Sequence, residues 1–151
     1  MKVLPEGSPS SSLWVVGEAP GADEAASGRP FVGASGKILN MMLGSAGIRR
    51  SDCFITNVID ERPPNNDFSI FYEDKARNRP RTVLLAAWAE LRALAGTHHP
   101  KTVVTLGDEA TRALLDIRGI GSVRGSVYPM LYCGNKTILA KGWAVPTLHP
   151  A

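Results

Sequence analysis

The sequence predicts an α/β fold in which a mostly parallel sheet is covered by helices on both faces. Two observations carry this. Short apolar runs rich in β-branched residues alternate with segments of helical apolar spacing, in the order β-α-β-α-β-α, which points to a parallel sheet buried on both sides. The first run is also joined to the first helical segment by a long loop dense in glycine, the strand–loop–helix arrangement that places ligands beyond the carboxyl ends of strands.

Taken in order, residues 1–12 (MKVLPEGSPSSS) have one lysine and no apolar stretch suited to a signal peptide, and read as a flexible leader. Leu13-Trp14-Val15-Val16 reads as a short buried strand. The loop GEAPGADEAASGRPFVGASG, Gly17 to Gly36, carries two prolines and three acids among its glycines, and Lys37 to Leu43 has the apolar spacing of a helix face that stops near Gly44 to Gly47. A second strand, rich in β-branched and aromatic residues, is expected over Cys53 to Ile59. The following Asp60-Glu61-Arg62-Pro63-Pro64-Asn65-Asn66-Asp67 excludes helix and central strand, because adjacent prolines remove donors and restrict φ.

After an irregular connection, Pro80 suits the first turn of a helix running to Ala95, with Val83, Leu84, Ala87, Trp88, Leu91 and Leu94 as its core stripe. Lys101 to Gly107 reads as a third strand, and Asp108 to Leu115 as a helix whose first turn carries two acids. The last third is glycine-rich, with strands expected at Thr137 to Ala140 and Ala144 to Leu148. No repeat is visible.

A chain of 151 residues suits one domain, here 13–151, and can bury a core without staples. Its longest apolar runs fall far short of the roughly 18 residues a membrane span needs, so a soluble, cytoplasmic monomer is expected. Cys53 and Cys133 form no C-x-x-C pair and imply neither a zinc site nor a disulfide framework. A net charge of +3 permits attraction to nucleic acid without requiring it. Arg62, Arg77, Arg79 and Arg81 cluster around the proline-rich loop and the helix start, either as a solvated face or as candidates for phosphate contacts.

Two glycine motifs fail on inspection. A phosphate-binding P-loop needs G-x-x-x-x-G-K-[ST], but Lys37 is followed by Ile38 and Phe31 stands where the first glycine belongs. Arg118-Gly119-Ile120-Gly121-Ser122-Val123 matches a helix-hairpin-helix turn over only three residues and reads better as a plain turn.

The ordered set GEAPG, GRPFVG, FITNV running into RPPNN, TLG and TLHPA resembles the uracil-DNA glycosylase superfamily from Leu13 to Ala151, most closely its family 4 branch and phage-type relatives associated with DNA polymerases. The resemblance implies a three-layer α/β/α fold with a central, mostly parallel four-stranded sheet, and a DNA repair hydrolase that cuts the N-glycosidic bond of uracil to leave an abasic site. It implies that Phe31 stacks on the flipped base, that Asn57 reads its edge, and that His149 donates to a uracil carbonyl. It further implies that Glu18, or Glu24 six residues on, serves the water or the cationic sugar, and that Gly17, Ala19 and Pro20 line the pocket. His98 and His99 read as surface residues.

Two departures stand out. Family 4 enzymes hold an iron–sulfur cluster with four cysteines, two of them upstream of the first motif; none is upstream here, and Glu61 occupies the position before RPP. No cluster and no metal are therefore expected. The family's HPA opens a loop bearing an apolar wedge, whereas this chain ends at Ala151. Either the domain is cut from a longer polypeptide or the wedge is absent, and without it uracil in single strands becomes the expected substrate, since extrusion costs less there. The alternatives are a non-catalytic or other-base-specific member that acts as a DNA-binding module of a replication protein and, more remotely, a nucleotide-binding α/β enzyme of unrelated chemistry.

Overall fold

A computed structural model describes residues 1–134 and 137–150, with backbone alone for 131–134 and 137–141. Five strands form one sheet: β1 (Leu13–Gly17), β2 (Cys53–Asn57), β3 (Thr102–Leu106), β4 (Tyr128–Gly134) and β5 (Thr137–Thr147), in the order β2-β1-β3-β5-β4. The first three and β5 run parallel, and β4 is an antiparallel edge. The parallel α/β sheet is as expected, but it has five strands rather than four. Thr137 to Ala140 and Ala144 to Leu148 merge into the single strand β5, which stops at Thr147, and Tyr128-Pro129-Met130 opens a strand whose proline conceals it. An edge strand tolerates that proline because one side of its ladder is unpaired.

Alternation along β1 divides the interior into two cores. Trp14 and Val16 point to one face, where Phe54, Phe68, Leu84, Trp88 and Leu91 join them; Val15 points to the other, with Phe31, Leu39, Leu43, Ile55 and Leu106. Helix α2 (Ala34–Ser45) covers the second face, while α3 (Thr82–His98) and α4 (Asp108–Leu115) cover the first. The third layer follows directly from this two-sided burial.

Several boundaries differ from expectation, each for a local reason. The glycine-rich loop contains a short helix α1 (Ala22–Ser27), closed by Gly28 in a left-handed conformation. Helix α3 begins at Thr82 because Pro80 is engaged in an antiparallel bridge with Tyr72, and Val83 faces solvent instead of the core. The irregular connection buries Phe68 and Tyr72, so it contributes core as well as loop. Residues Ile120–Val123 form a one-turn helix, α5, where a plain turn is expected; the Asp108 carboxylate accepts from the Gly119 and Ile120 backbone N–H groups at 2.9 and 3.0 Å.

The first twelve residues differ most from the flexible leader expected. Glu6 bridges antiparallel to Ile55 on the free edge of β2, the Val3 N–H donates to the Asp60 carbonyl at 2.7 Å, and Val3 is buried. Trp14 donates its indole N–H to the Pro9 carbonyl at 3.0 Å. Backbone pairing and one buried valine give this segment the partners that its composition does not advertise. Among the described residues no helix is long and apolar enough to cross a membrane.

Candidate active site

The parallel register brings four strand ends to one rim. Gly17 pairs with Asn57, Val16 with Thr105, and Leu106 with Thr147, so Glu18, Asn57, Gly107 and the turn to His149 all emerge on the same side of the sheet. The ladder continues past the strands: the Ile59 N–H donates to the Glu18 carbonyl at 3.1 Å and the Gly107 N–H to the Thr147 carbonyl at 2.9 Å. These bonds hold the acid and the histidine turn by their backbones.

A cavity of about 270 Å³ opens at this rim, lined by Glu18, Ala19, Pro20, Glu24, Phe31, Asn57 and His149, with Gly21, Ser35, Pro63 and Asn66 completing the wall. That volume is at the small end of ligand pockets, suited to one planar base rather than a dinucleotide. The Phe31 and His149 rings lie 6.1 Å apart between centroids, tilted by 33°. Gly17 is the point at which Phe31 and Asn57 meet: a Cβ built there would overlap the Phe31 ring and stand 2.5 Å from Asn57 Oδ1. Phe31 is also buried among Val15, Leu39 and Ile55, so the same ring serves the core and the cavity wall.

The loop that carries Phe31 is braced on two sides. Glu24 Oε1 accepts from the Val32 and Gly33 N–H groups at 2.9 and 2.8 Å, and Oε2 from the Gly21 N–H at 3.1 Å. Burial opposes ionisation of this carboxyl, but the backbone donors outweigh it and hold the group below the usual carboxylate range. On the other side, Arg50 donates to the Pro30 and Phe31 carbonyls at 2.7 and 3.1 Å. Phe31 adopts φ 53°, a left-handed conformation that a bulky side chain avoids unless its surroundings impose it.

Glu18 and His149 have environments of opposite effect. Burial pushes the Glu18 carboxyl up, with the Glu109 charge adding to the shift, Arg77 opposing it and Asp108 adding to it. Burial pushes the His149 imidazole down, partly countered by Glu24, so at neutral pH the ring is uncharged with one N–H to donate. Behind Glu18, the buried Glu109 accepts from the Tyr72 hydroxyl at 2.6 Å and from Arg77 at 2.8 Å. Neither this polar cluster nor the Arg50 brace lies in a sequence motif, whereas the pocket residues Pro63 and Asn66 belong to the RPPNN stretch without a role that the motif assigns them.

The arginine candidates separate. Arg77 is held by Glu109, and Arg81 donates to the Ile70 and Tyr72 carbonyls at 3.0 and 3.1 Å, which commits both to internal partners. Arg62 donates to Asn66 Oδ1 at 2.7 Å on the pocket rim, and Arg79 is exposed, 3.8 Å from Asp74 and 4.0 Å from Glu73. His98 is 3.4 Å from the Ser10 hydroxyl.

A mostly parallel open sheet with a small cavity at the carboxyl ends of its strands, walled by an aromatic ring, an amide and an imidazole, defines an α/β protein with its ligand site at the strand ends. The chain belongs to the uracil DNA glycosylase superfamily, which it matches over residues 4–151. It is 36% identical over 151 residues to the type-4 uracil-DNA glycosylase of Pyrobaculum aerophilum, covering 97% of this chain and 69% of that protein. It is 37% identical over 152 residues to the type-4 enzyme of Sulfurisphaera tokodaii, covering 97% of this chain but only 62% of the relative, and 35% identical over 151 residues to that of Thermotoga maritima, covering 99% and 69%.

The four-cysteine cluster of family 4 does not fit these residues. The sequence has two cysteines, and Glu61 takes the position before RPP. The Cys53 thiol is buried in β2, donates to the Arg49 carbonyl at 3.6 Å and is pushed up by burial, away from the thiolate a cluster iron binds. The Cys133 side chain lies outside the described residues. Among the described residues no group of three or more His, Cys, Asp or Glu is placed to hold a metal ion.

Proposed function

We propose that this chain is a uracil-DNA glycosylase that hydrolyses the N-glycosidic bond of uracil in DNA, using its own side chains without an iron–sulfur cluster. The observation that carries this reading is the convergence of Phe31, Asn57 and His149 on one base-sized cavity. The names of the relatives and the count of two cysteines support its two halves.

In this reading the base leaves the helix and enters the cavity, stacking on Phe31. The Asn57 amide accepts from the uracil ring N–H and donates to the neighbouring carbonyl; cytosine presents the reversed pattern and leaves buried groups unpaired. As the bond between the sugar carbon and the base nitrogen breaks, its electron pair departs with the base. His149 donates to the carbonyl where that charge collects, in the manner of an oxyanion-hole donor. Water adds its oxygen to the sugar carbon and gives up a proton to Glu18, which must be ionised to receive it. Ala19 and Pro20 form the floor, and Gly17 leaves room for the ring. Glu24 acts here as a loop brace, since three backbone donors occupy its carboxylate. Arg62 and Arg79 are the phosphate contacts that fit best, being the two of the four candidates not bound to the buried network or to backbone carbonyls.

The test is direct. A uracil-containing oligonucleotide is incubated with the protein, treated with alkali and examined for strand scission, then the assay is repeated with Asn57→Asp and His149→Ala. Scission by the unmutated protein that both substitutions abolish supports the reading. No scission from the unmutated protein refutes it.

A further inference from the structure

Arg50 begins a short 3-10 turn just ahead of β2, outside the cavity, and no motif singles it out. Yet it has five polar contacts. Its Nε and Nη2 reach the Glu6 carboxylate at 2.7 and 3.3 Å, Nη1 reaches Asn40 Oδ1 at 2.8 Å and the Phe31 carbonyl at 3.1 Å, and Nη2 reaches the Pro30 carbonyl at 2.7 Å. Glu6 in turn accepts from Arg29 at 2.9 Å, and the Arg50 hydrogen bond, working against burial, holds its carboxyl below the usual range.

The two carbonyls belong to the peptide groups on either side of the Phe31 Cα. The relative orientation of those planes is what φ and ψ of Phe31 describe. One planar guanidinium that grips both oxygens therefore restricts both torsions at once, in the one region where a phenylalanine backbone is strained. Crowding completes the lock: a Cβ at Gly36 would overlap the Phe31 carbonyl, so only glycine lets that oxygen take its place against α2.

We propose that Arg50 is a positioning residue for Phe31, anchored by Glu6 of the amino-terminal segment, and that this relay keeps the aromatic ring turned into the base cavity. The inference rests on the reading of Phe31 as the stacking surface. Arg50 touches no base and acts only through the backbone of residues 30 and 31. A lysine keeps the charge but offers a single ammonium in place of the two-pronged fork, so it cannot hold both carbonyls in the same geometry.

The test uses the full chain with 13C-labelled phenylalanine, whose four rings include Phe54 and Phe68 as internal references. Arg50→Lys is expected to shift or broaden the Phe31 ring signals while those of Phe54 and Phe68 stay in place. Inhibition of the enzyme by free uracil is expected to weaken about tenfold or more, the scale of a lost charged hydrogen bond. In a Phe31→Leu background the same substitution should weaken inhibition no further, a result that a merely structural role would not produce. Should Arg50→Lys fail to fold, Glu6→Gln loosens the anchor and is expected to give the same ring signature in milder form. Unchanged Phe31 signals in a folded variant, or equal losses in both backgrounds, overturn the proposal. A protein that releases no uracil refutes the proposed function, and the ring spectrum still decides the role of Arg50.

Discussion

Replacing Gly17 with alanine separates the geometry of the cavity from the stability of the fold. The backbone at Gly17 is ordinary strand, so alanine meets no conformational penalty, and β1 keeps its ladder to β2 and β3. The added Cβ is the whole perturbation. It overlaps the Phe31 ring and leaves Asn57 Oδ1 at 2.5 Å, so the amide must retreat by about 1 Å to reach ordinary contact, a displacement that costs on the order of 100-fold when it misplaces a reacting group. The cost in stability is that of a crowded core, about 1–3 kcal/mol, or roughly 3–10 °C in a chain of this size. Single-turnover uracil release and a thermal melt, measured on the same preparation below its transition, read the two effects apart. A G17A protein that releases uracil within a few-fold of the unmutated rate would show that the contact between Phe31 and Asn57 at Gly17 does not shape the base site.

Other expectations follow from the same contacts. The Glu18 carboxyl is pushed up by burial and by Glu109, so its ionised form at neutral pH lowers stability; Glu18→Gln should abolish most activity yet raise the melting temperature at pH 7, with the gain shrinking as pH falls through the raised value. Glu109→Gln should move the acid limb of the rate profile to lower pH, and an unmoved limb would exclude Glu109 from the field at Glu18. Glu24→Gln should cost about 2 kcal/mol, or about 4–8 °C, at pH 7, because the amide cannot accept from the Gly21 N–H. As Glu24 is held low, that difference should narrow as the medium is acidified through its titration, and the rate loss should stay well below that of Glu18→Gln. His149→Ala should lower the rate by about 100- to 1,000-fold, and the unmutated imidazole should titrate in NMR below the ordinary histidine value. Replacing Arg62 and Arg79 together should reduce the slope of log affinity against log salt by about 1.4 to 1.8, and an unchanged slope would remove both as phosphate contacts.

Much of the site could be read from the chain because its residues stand in loops of unusual composition. Glycine and proline around Phe31, Asn57 at the end of a β-branched run, and His149 after a strand all announce backbone that approaches a ligand. The supports could not be read in this way. Arg50 and Glu6 are 44 residues apart, and Arg77 and Glu109 are 32 apart; ion pairs at such separations follow no period and leave no composition signal. The same holds for the amino-terminal segment, whose polar residues look mobile until Val3 and Glu6 find the β2 edge. Pro80 misled for the opposite reason. Its preference for a first helical turn is genuine, but the bridge to Tyr72 prevailed, as tertiary contacts commonly do over local propensity.

Asn57 borders two hollows, the base cavity and a larger groove that runs past Ile59, Glu61, Phe71 and Leu91 toward α3. It is therefore a partition between the two, and the strand beneath it works as a ruler. Because neighbouring strand residues face opposite sides, a slip of one step between β1 and β2 would turn the amide out of its chamber and carry Phe54 and Ile55 out of their two cores with it. Under the proposed function, discrimination between two pyrimidines that differ by a reversed donor pattern depends on backbone pairing several residues away, at Trp14 and Phe54.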